Sequence, residues 1–190
     1  MRVIGLAGRA GCGKSAVAKR LATGRGIAWI DLDTLAWSTY AIGTDVYQHL
    51  QDAFGDGILD DTGAIDRAKL AGAAFADCAS TKLLDALVHP AVGRALIPLI
   101  KEHEAQGTEI LLVEGALLAS SPHVDRTPYD KILWLEIEES VRAERLRAIG
   151  RDAHLARGCA TFPTGDVDIV DAEGSIEDVS ERVLTVIGPT

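Results

Sequence analysis

The sequence predicts an α/β fold built on a parallel sheet, and two stretches near the amino terminus carry this prediction. An apolar run from Val3 to Leu6 leads into a glycine-rich loop, and Val17 and Leu21 then follow with helical spacing. A second apolar run, Ile27 to Ile30, ends in Asp31-Leu32-Asp33. The succession of strand, glycine loop, helix and strand is typical of the first half of a parallel sheet.

The middle of the chain, from about residue 34 to 107, shows helical patterns and no convincing strand. Asp66 and Ser80 are suitable N-caps for two helices. Pro90 suits the first position of a further helix, which Pro98 is expected to kink. We therefore expect a helical insertion here.

The α/β pattern returns after the insertion. Ile110 to Val113 and Lys131 to Leu135 are buried-strand patterns, and Val167 to Val170 is a weaker one. The predicted organisation is a core of residues 1–33 and 108–190, with a lid at about 147–166, and an insertion of residues 34–107.

Composition restricts the class of protein. A chain of 190 residues that is 47% hydrophobic and 25% charged buries an ordinary core and suits one domain with an insertion. The net charge of −9 argues against nucleic acid and anionic membranes as partners. The low aromatic content, 5%, argues against a base-stacking surface. No apolar run reaches the ~18 residues that span a bilayer.

The amino terminus and the cysteines indicate a cytoplasmic location. The chain runs directly into the glycine loop without the pattern of a signal peptide. Cys12, Cys78 and Cys159 lie far apart and show no ligand spacing, so we expect neither a disulfide framework nor a zinc site. Such cysteine usage is typical of a reducing compartment.

The strongest motif is Gly8-Arg9-Ala10-Gly11-Cys12-Gly13-Lys14-Ser15, a complete GxxxxGK[ST] pattern between a strand and a helix. Glycines let backbone N–H groups converge on phosphate oxygens, and the following helix directs its positive end at the same anion. Lys14 is expected to reach the β- and γ-phosphates, and Ser15 to ligate Mg²⁺. The nucleotide contacts are expected from Gly8, Ala10, Gly11, Cys12, Gly13, Lys14, Ser15 and Ala16.

Two carboxylates follow the second predicted strand. Strand alternation directs Asp31 and Asp33 the same way, toward the sheet edge where ligands bind. One would hold Mg²⁺ through water and the other would accept a proton from an attacking hydroxyl. The alternative is a solvated strand end that caps a helix at Thr34.

A basic segment at residues 142–157 contains five arginines against two acidic residues, in a chain that is acidic overall. A polyphosphate in its transition state needs an arginine clamp, for which Arg145 and Arg151 are candidates. Arg147 does not share a helix face with Arg142 and Arg145, so it is the expected bystander. The alternative is a solvated helix face.

Two further candidates have ambiguous local patterns. Glu114 ends the third predicted strand, where it would ligate or orient a metal, or else form a turn or a salt bridge. His89 precedes Pro90 and is either a substrate ligand or a structural histidine.

Four motifs together resemble the dephospho-coenzyme A kinase family over nearly the whole chain. They are the segment GLAGRAGCGKS at residues 5–15, IDLD at 30–33, GAIDR at 63–67 and LVHP at 87–90. The resemblance implies a P-loop, nucleoside-monophosphate-kinase-like α/β/α fold with a five-stranded parallel sheet, a helical coenzyme A-binding insertion and a lid. It implies transfer of the ATP γ-phosphate to the 3′-hydroxyl of dephospho-CoA, with ATP and Mg²⁺ as cofactors.

The resemblance also implies residue roles. Asp33 would be the general base, while Lys14 and Arg145 would steady the transferring phosphoryl group and Arg151 would assist at the nucleotide. The expected acceptor contacts are Asp31, Asp33, Arg67, His89, Pro90 and Glu114, and the expected metal ligands are Ser15 and Asp31.

Several positions depart from the family pattern, among them Ala16, Trp37 and Ala172, where threonine, arginine or histidine, and asparagine are common. Two other functions stay open on sequence alone. One is a different small-molecule P-loop kinase resembling shikimate kinase, and the other is a nucleotide-binding regulator without an acceptor. The oligomeric state is not predicted.

Overall fold

A computed structural model of the protein describes residues 1–151, 155 and 162–188. It contains the expected sheet of five parallel strands, in the order β2-β3-β1-β4-β5. The strands are β1 (Arg2–Gly8), β2 (Ile27–Asp31), β3 (Ile110–Glu114), β4 (Lys131–Glu136) and β5 (Asp168–Asp171).

The central position of β1 follows from its composition. Residues 3–8 are all buried, because this strand has a neighbour on each side and a helical layer over each face. Ile4 and Leu6 face one layer, whereas Val3 and Ala7 face the other. Continuous apolar character is therefore what the middle of this sheet requires.

Helices of eight residues or more connect the strands, and four of them pack on the sheet. Two of them, α1 and α7, cover the face of Ile4 and Leu6, while α2 and α5 contribute Leu32, Leu35 and Leu96 to the other. The helices are α1 (Lys14–Leu21), α2 (Leu32–Thr39), α3 (Asp45–Phe54), α4 (Arg67–Ala74), α5 (Cys78–Ala105), α6 (Glu139–Ala148) and α7 (Ile176–Ile187).

The chain between β2 and β3 is helical, as predicted, but its last part is one long helix rather than two. Asp77 caps α5 and accepts a hydrogen bond from the Ser80 N–H, so Ser80 is not the N-cap. Pro90 and Pro98 lie inside α5, and Pro90 is not at a helix start. Each proline removes one backbone hydrogen bond. Burial of one side of α5 offsets that loss, through Val88, Ala91, Val92 and Leu96.

Within the described residues, α5 is the one helix long and apolar enough, by length and composition, to cross a membrane. Its buried residues pack against α2, α3, α4 and the sheet. Packing within the protein therefore accounts for part of its apolar composition.

The cysteine expectation needs a correction. Cys12 is free and buried, but Cys78 is disulfide-bonded. Spacing along the chain does not reveal which cysteines a fold brings together, so the expectation of no disulfide was wrong for Cys78. Cys159 and Arg157 lie outside the described residues, as do residues 152–154 and 156–161 of the predicted lid.

Candidate active site

The phosphate loop, Gly8 to Ser15, turns sharply between β1 and α1. Gly8, Gly11 and Gly13 all have positive φ, at 143°, 90° and 96°. A Cβ on Gly8 would lie 2.6 Å from the Leu135 carbonyl oxygen, and one on Gly11 would lie 2.8 Å from Leu146 Cγ. Larger residues are therefore excluded at both positions by backbone strain and by steric overlap.

The loop presents donors at the start of α1. Gly13 is the N-cap of α1 and no side chain caps this helix, which leaves its first N–H groups available to an anion. The Lys14 ammonium donates to the Gly8 carbonyl oxygen at 2.7 Å and to that of Arg9 at 3.2 Å, so it lies folded over the loop. Ser15 is exposed in the first turn. This is the geometry of a polyphosphate site.

Carboxylates gather beside the loop because of the strand register. Asp31 and Glu114 are paired positions at the carboxyl ends of β2 and β3. Glu114 is only 3% exposed, and its Oε2 atom has no hydrogen-bond partner among the described residues. Burial raises the pKa of Glu114, a hydrogen bond from Ser15 lowers it, and the charge of Asp31 raises it further.

The oxygen atoms at this point suit a hard divalent cation such as Mg²⁺. The described residues contain no group of three or more His, Cys, Asp or Glu side chains placed to hold a metal by themselves. A cation here would therefore complete its shell with water and phosphate oxygens, as Mg²⁺ commonly does.

Strand alternation predicted that both aspartates belong to one extended segment, and this prediction was wrong. The chain turns into α2 at Leu32, so Asp33 lies in the first helical turn. Asp31 is the N-cap of α2 and accepts hydrogen bonds from the Asp33 N–H, the Thr34 N–H and the Thr34 hydroxyl. Asp31 therefore caps a helix, as the alternative predicted, and its role toward a metal stays a prediction. Asp33 is exposed and faces a cavity.

This large cavity has a volume of about 980 Å³ and lies between the phosphate loop, the insertion helices and the chain after β3. Four of the sequence-predicted site residues line it together: Ala10, Asp33, Arg67 and His89. Pro90 is exposed on α5 outside the lining, and Glu114 lies at the sheet edge outside it. The fold thus joins the phosphate loop and Asp33 to a compartment large enough for a second substrate.

His89 belongs to a polar group in the cavity wall. Its Nδ1 atom is 2.8 Å from the Ser121 hydroxyl, and its Nε2 atom is 3.8 Å from Asp85 Oδ1. Burial lowers the pKa of His89 to about 4, with a further contribution from His123, and burial raises the pKa of Asp85 to about 6. Burial therefore shifts both titrations toward the neutral form relative to water.

These two shifts predict opposite pH dependences of stability. The low pKa of His89 stabilises the fold at neutral pH, and this contribution is lost as pH falls from about 6.5 to 4. The raised pKa of Asp85 stabilises the fold at low pH, and this contribution is lost as pH rises from about 4 to 6. In the unsubstituted protein the two effects largely cancel.

Single substitutions should separate the two effects in urea unfolding between pH 4 and 6.5. Relative to the unsubstituted protein, the unfolding free energy of Asp85→Asn should rise with pH by on the order of 2 kcal/mol, and that of His89→Gln should fall by a similar amount. Parallel stability curves for all three proteins would contradict this assignment.

The arginines of α6 have different surroundings. Arg142 is buried, donates twice to Glu139, and donates to the Ala10 carbonyl oxygen at 3.1 Å. Arg9 donates to the same Glu139 carboxylate at 2.7 Å. This network ties the start of α6 to the phosphate loop.

Arg145 lies beside the loop, as predicted. Its NH1 atom would be 3.7 Å from a Cβ built on Gly13, and its guanidinium donates to the Ala172 and Gly174 carbonyl oxygens at 3.3 Å. Arg147 and Arg151 are exposed, and neither side chain makes a hydrogen bond or ion pair within the described residues. The expected bystander, Arg147, is therefore solvated.

Sequence reasoning missed several residues of the cavity wall. Asp85 stands four residues before His89 on a helix, a spacing that could have indicated the pair. Ser121 is 32 residues away from His89 and Tyr40 follows no motif, so neither had a local signal. Arg9 lies within the motif but at a variable position.

Comparison with known proteins agrees with this geometry. A sequence model of the dephospho-CoA kinase family matches residues 2–157. A dephospho-CoA kinase of Carboxydothermus hydrogenoformans is 33% identical over 97% of this chain and 92% of its own length. One of Corynebacterium efficiens is 35% identical over 97% of this chain and 94% of its own length.

Solved structures show the same fold. A crystal structure from Thermus thermophilus has a TM-score of 0.72 and 28% identity, covering 98% of this chain and 95% of that one. A dephospho-CoA kinase from Campylobacter jejuni has a TM-score of 0.60 and 17% identity over 98% and 96% of the two chains, a likeness of fold. Sequence match, sheet and phosphate loop lead to one conclusion: the chain belongs to the dephospho-CoA kinase family, a family of ATP-dependent kinases.

Proposed function

We propose that this protein transfers the γ-phosphate of ATP to the ribose 3′-hydroxyl of dephospho-CoA, forming coenzyme A and ADP. The observation that carries the proposal is the position of Asp33, at the junction of the phosphate loop and the large cavity. A base between a donor site and an acceptor site is the arrangement that phosphoryl transfer to a hydroxyl requires.

The phosphate loop would bind the donor. Its N–H groups and the uncapped start of α1 would hold the β-phosphate, and Lys14 would exchange its contacts with loop carbonyl oxygens for phosphate oxygens. Arg145, beside Gly13, would stabilise the charge that develops on the transferring group.

Ser15 and Asp31 would hold Mg²⁺ directly or through water. The Glu114 Oε2 atom, which has no hydrogen-bond partner among the described residues, would support them. When bound, the ion would neutralise charge on the β- and γ-phosphate oxygens. The N-cap role of Asp31 is compatible with this, because a carboxylate has more lone pairs than the three hydrogen bonds use.

The cavity would bind the acceptor, with Arg67 and His89 among its contacts. Asp33 would take the proton of the 3′-hydroxyl while the hydroxyl oxygen forms its bond to the γ-phosphorus. The bond from that phosphorus to the β–γ bridging oxygen breaks, and ADP leaves. The proposed substrates are ATP and a biosynthetic intermediate, and both support a cytoplasmic location for the enzyme.

A coupled assay of ADP release tests the proposal. We expect release to depend on dephospho-CoA and to be low with shikimate or other small hydroxyl compounds, because Asp33 needs a hydroxyl placed by the cavity. Release at the same rate without any acceptor would favour a nucleotide-hydrolysing regulator and contradict the proposal.

A further inference from the structure

An aromatic–guanidinium stack stands in the wall of the large cavity. The Arg67 Cζ atom lies 3.3 Å from the centroid of the Trp37 ring. Trp37 is on α2, one turn after Asp33, and Arg67 is the first residue of α4. Both side chains line the cavity.

The stack leaves the edge of the guanidinium available. Within the described residues, Arg67 makes no side-chain hydrogen bond or ion pair. A guanidinium centred over an aromatic ring still has the N–H groups of its edge, which point outward in its own plane and can form paired hydrogen bonds to a phosphate.

Arg67 is also close to the chemistry. Burial raises the pKa of Tyr40, while the charge of Arg67 lowers it and the charge of Asp33 raises it. Both charges therefore act on one hydroxyl, which places Arg67 on the Asp33 side of the cavity. A cation at the first residue of a helix is unfavourable to that helix, so the stability of α4 does not explain it.

We propose that Trp37 is a positioning residue, whose ring holds the Arg67 guanidinium so that its free edge meets a phosphate of the acceptor. The inference rests on the proposed function, because dephospho-CoA supplies the pyrophosphate. A free arginine side chain samples many rotamers, and stacking selects one of them before the substrate arrives.

A double-mutant cycle on the KM for dephospho-CoA tests the inference. We expect Trp37→Leu to raise this KM roughly two- to five-fold, the size of an exposed cation–π contact. Arg67→Ala should raise it roughly ten-fold or more, because a charge-assisted hydrogen bond is lost. Trp37→Leu should add nothing in the Arg67→Ala background, since Trp37 acts only through Arg67. In the Trp37 variants the kcat and the KM for ATP should stay within twofold of the unsubstituted protein.

Controls keep the test independent of folding. Trp37→Phe keeps an aromatic face and should restore a normal KM, and Trp37 is 39% exposed, so its replacement leaves the core intact. Lys19→Ala removes the cation over Trp29, outside the cavity, and should have no effect. Additive effects of Trp37→Leu and Arg67→Ala, or an unchanged KM in Trp37→Leu, would overturn the inference. Failure of the proposed function is a different result, because the unsubstituted protein would then show no acceptor-dependent turnover.

Discussion

Asp33→Asn is expected to lower kcat by roughly 10²–10⁴-fold while leaving the KM for ATP nearly unchanged. A ribose hydroxyl is a weak nucleophile at neutral pH, and asparagine keeps the shape of the side chain but cannot take the proton. Asp33 is exposed in the first turn of α2, so the substitution should not disturb the core. Steady-state kinetics with dephospho-CoA measure both parameters.

Asp31→Asn is the matched comparison. Asparagine is also a good N-cap, so α2 should survive the change. The loss of charge should raise the Mg²⁺ concentration needed for half-maximal rate, and added Mg²⁺ should restore part of the rate. Asp61→Asn, in an exposed turn, should behave as the unsubstituted protein. The assignment of Asp33 as base would be wrong if Asp33→Asn kept most of its kcat, or if Mg²⁺ rescued it and not Asp31→Asn.

Lys14→Ala is expected to reduce kcat/KM by roughly 10³-fold or more, because it removes a cation from phosphates whose charge is redistributed in the transition state. In the structure this ammonium is bound to two carbonyl oxygens of the loop, Gly8 and Arg9. The loss of these two hydrogen bonds should relax the loop without unfolding the protein. Turnover and the thermal midpoint, measured on the same sample, separate the two effects.

Lys101→Ala is the control for Lys14, because it removes a lysine charge from an exposed position of α5, outside the motif. It should leave both turnover and the thermal midpoint unchanged. A folded Lys14→Ala protein with normal turnover would refute the reading of the phosphate loop.

The network of Arg9, Glu139 and Arg142 shows why a buried arginine need not bind nucleotide. The Arg142 guanidinium donates hydrogen bonds to Glu139 and to the Ala10 carbonyl oxygen, and these bonds hold α6 against the loop. Arg145 is one turn closer to the end of α6 and is placed at Gly13 instead. Neighbouring members of one basic segment thus differ in role because they face different surroundings.

The sequence by itself determined the sheet, the phosphate loop and the kinase class. These features depend on local patterns, namely continuous apolar runs and glycines at positions where φ is positive. The predictions for Asp33, Lys14 and Ser15 were made in the same way, because their motifs are contiguous in the chain.

Only the tertiary structure decided the rest. It joined Pro90 and Pro98 into one helix, since the packing of α5 outweighs the local effect of proline. It moved Asp33 from a strand into a helical turn and made Asp31 its cap. Helix ends are set by small free-energy differences that packing overrides, so local patterns predict them poorly.

The parts of the site that lie outside the motifs also depend on contacts between distant segments of the chain. The stack of Trp37 with Arg67 and the contact of His89 with Ser121 join residues about 30 positions apart. The burial of Glu114 also depends on tertiary pairing, because β1 and β2 flank the carboxyl end of β3 on either side. Contacts between distant segments depend on how helices pack over the sheet, and no local pattern in the chain encodes that packing.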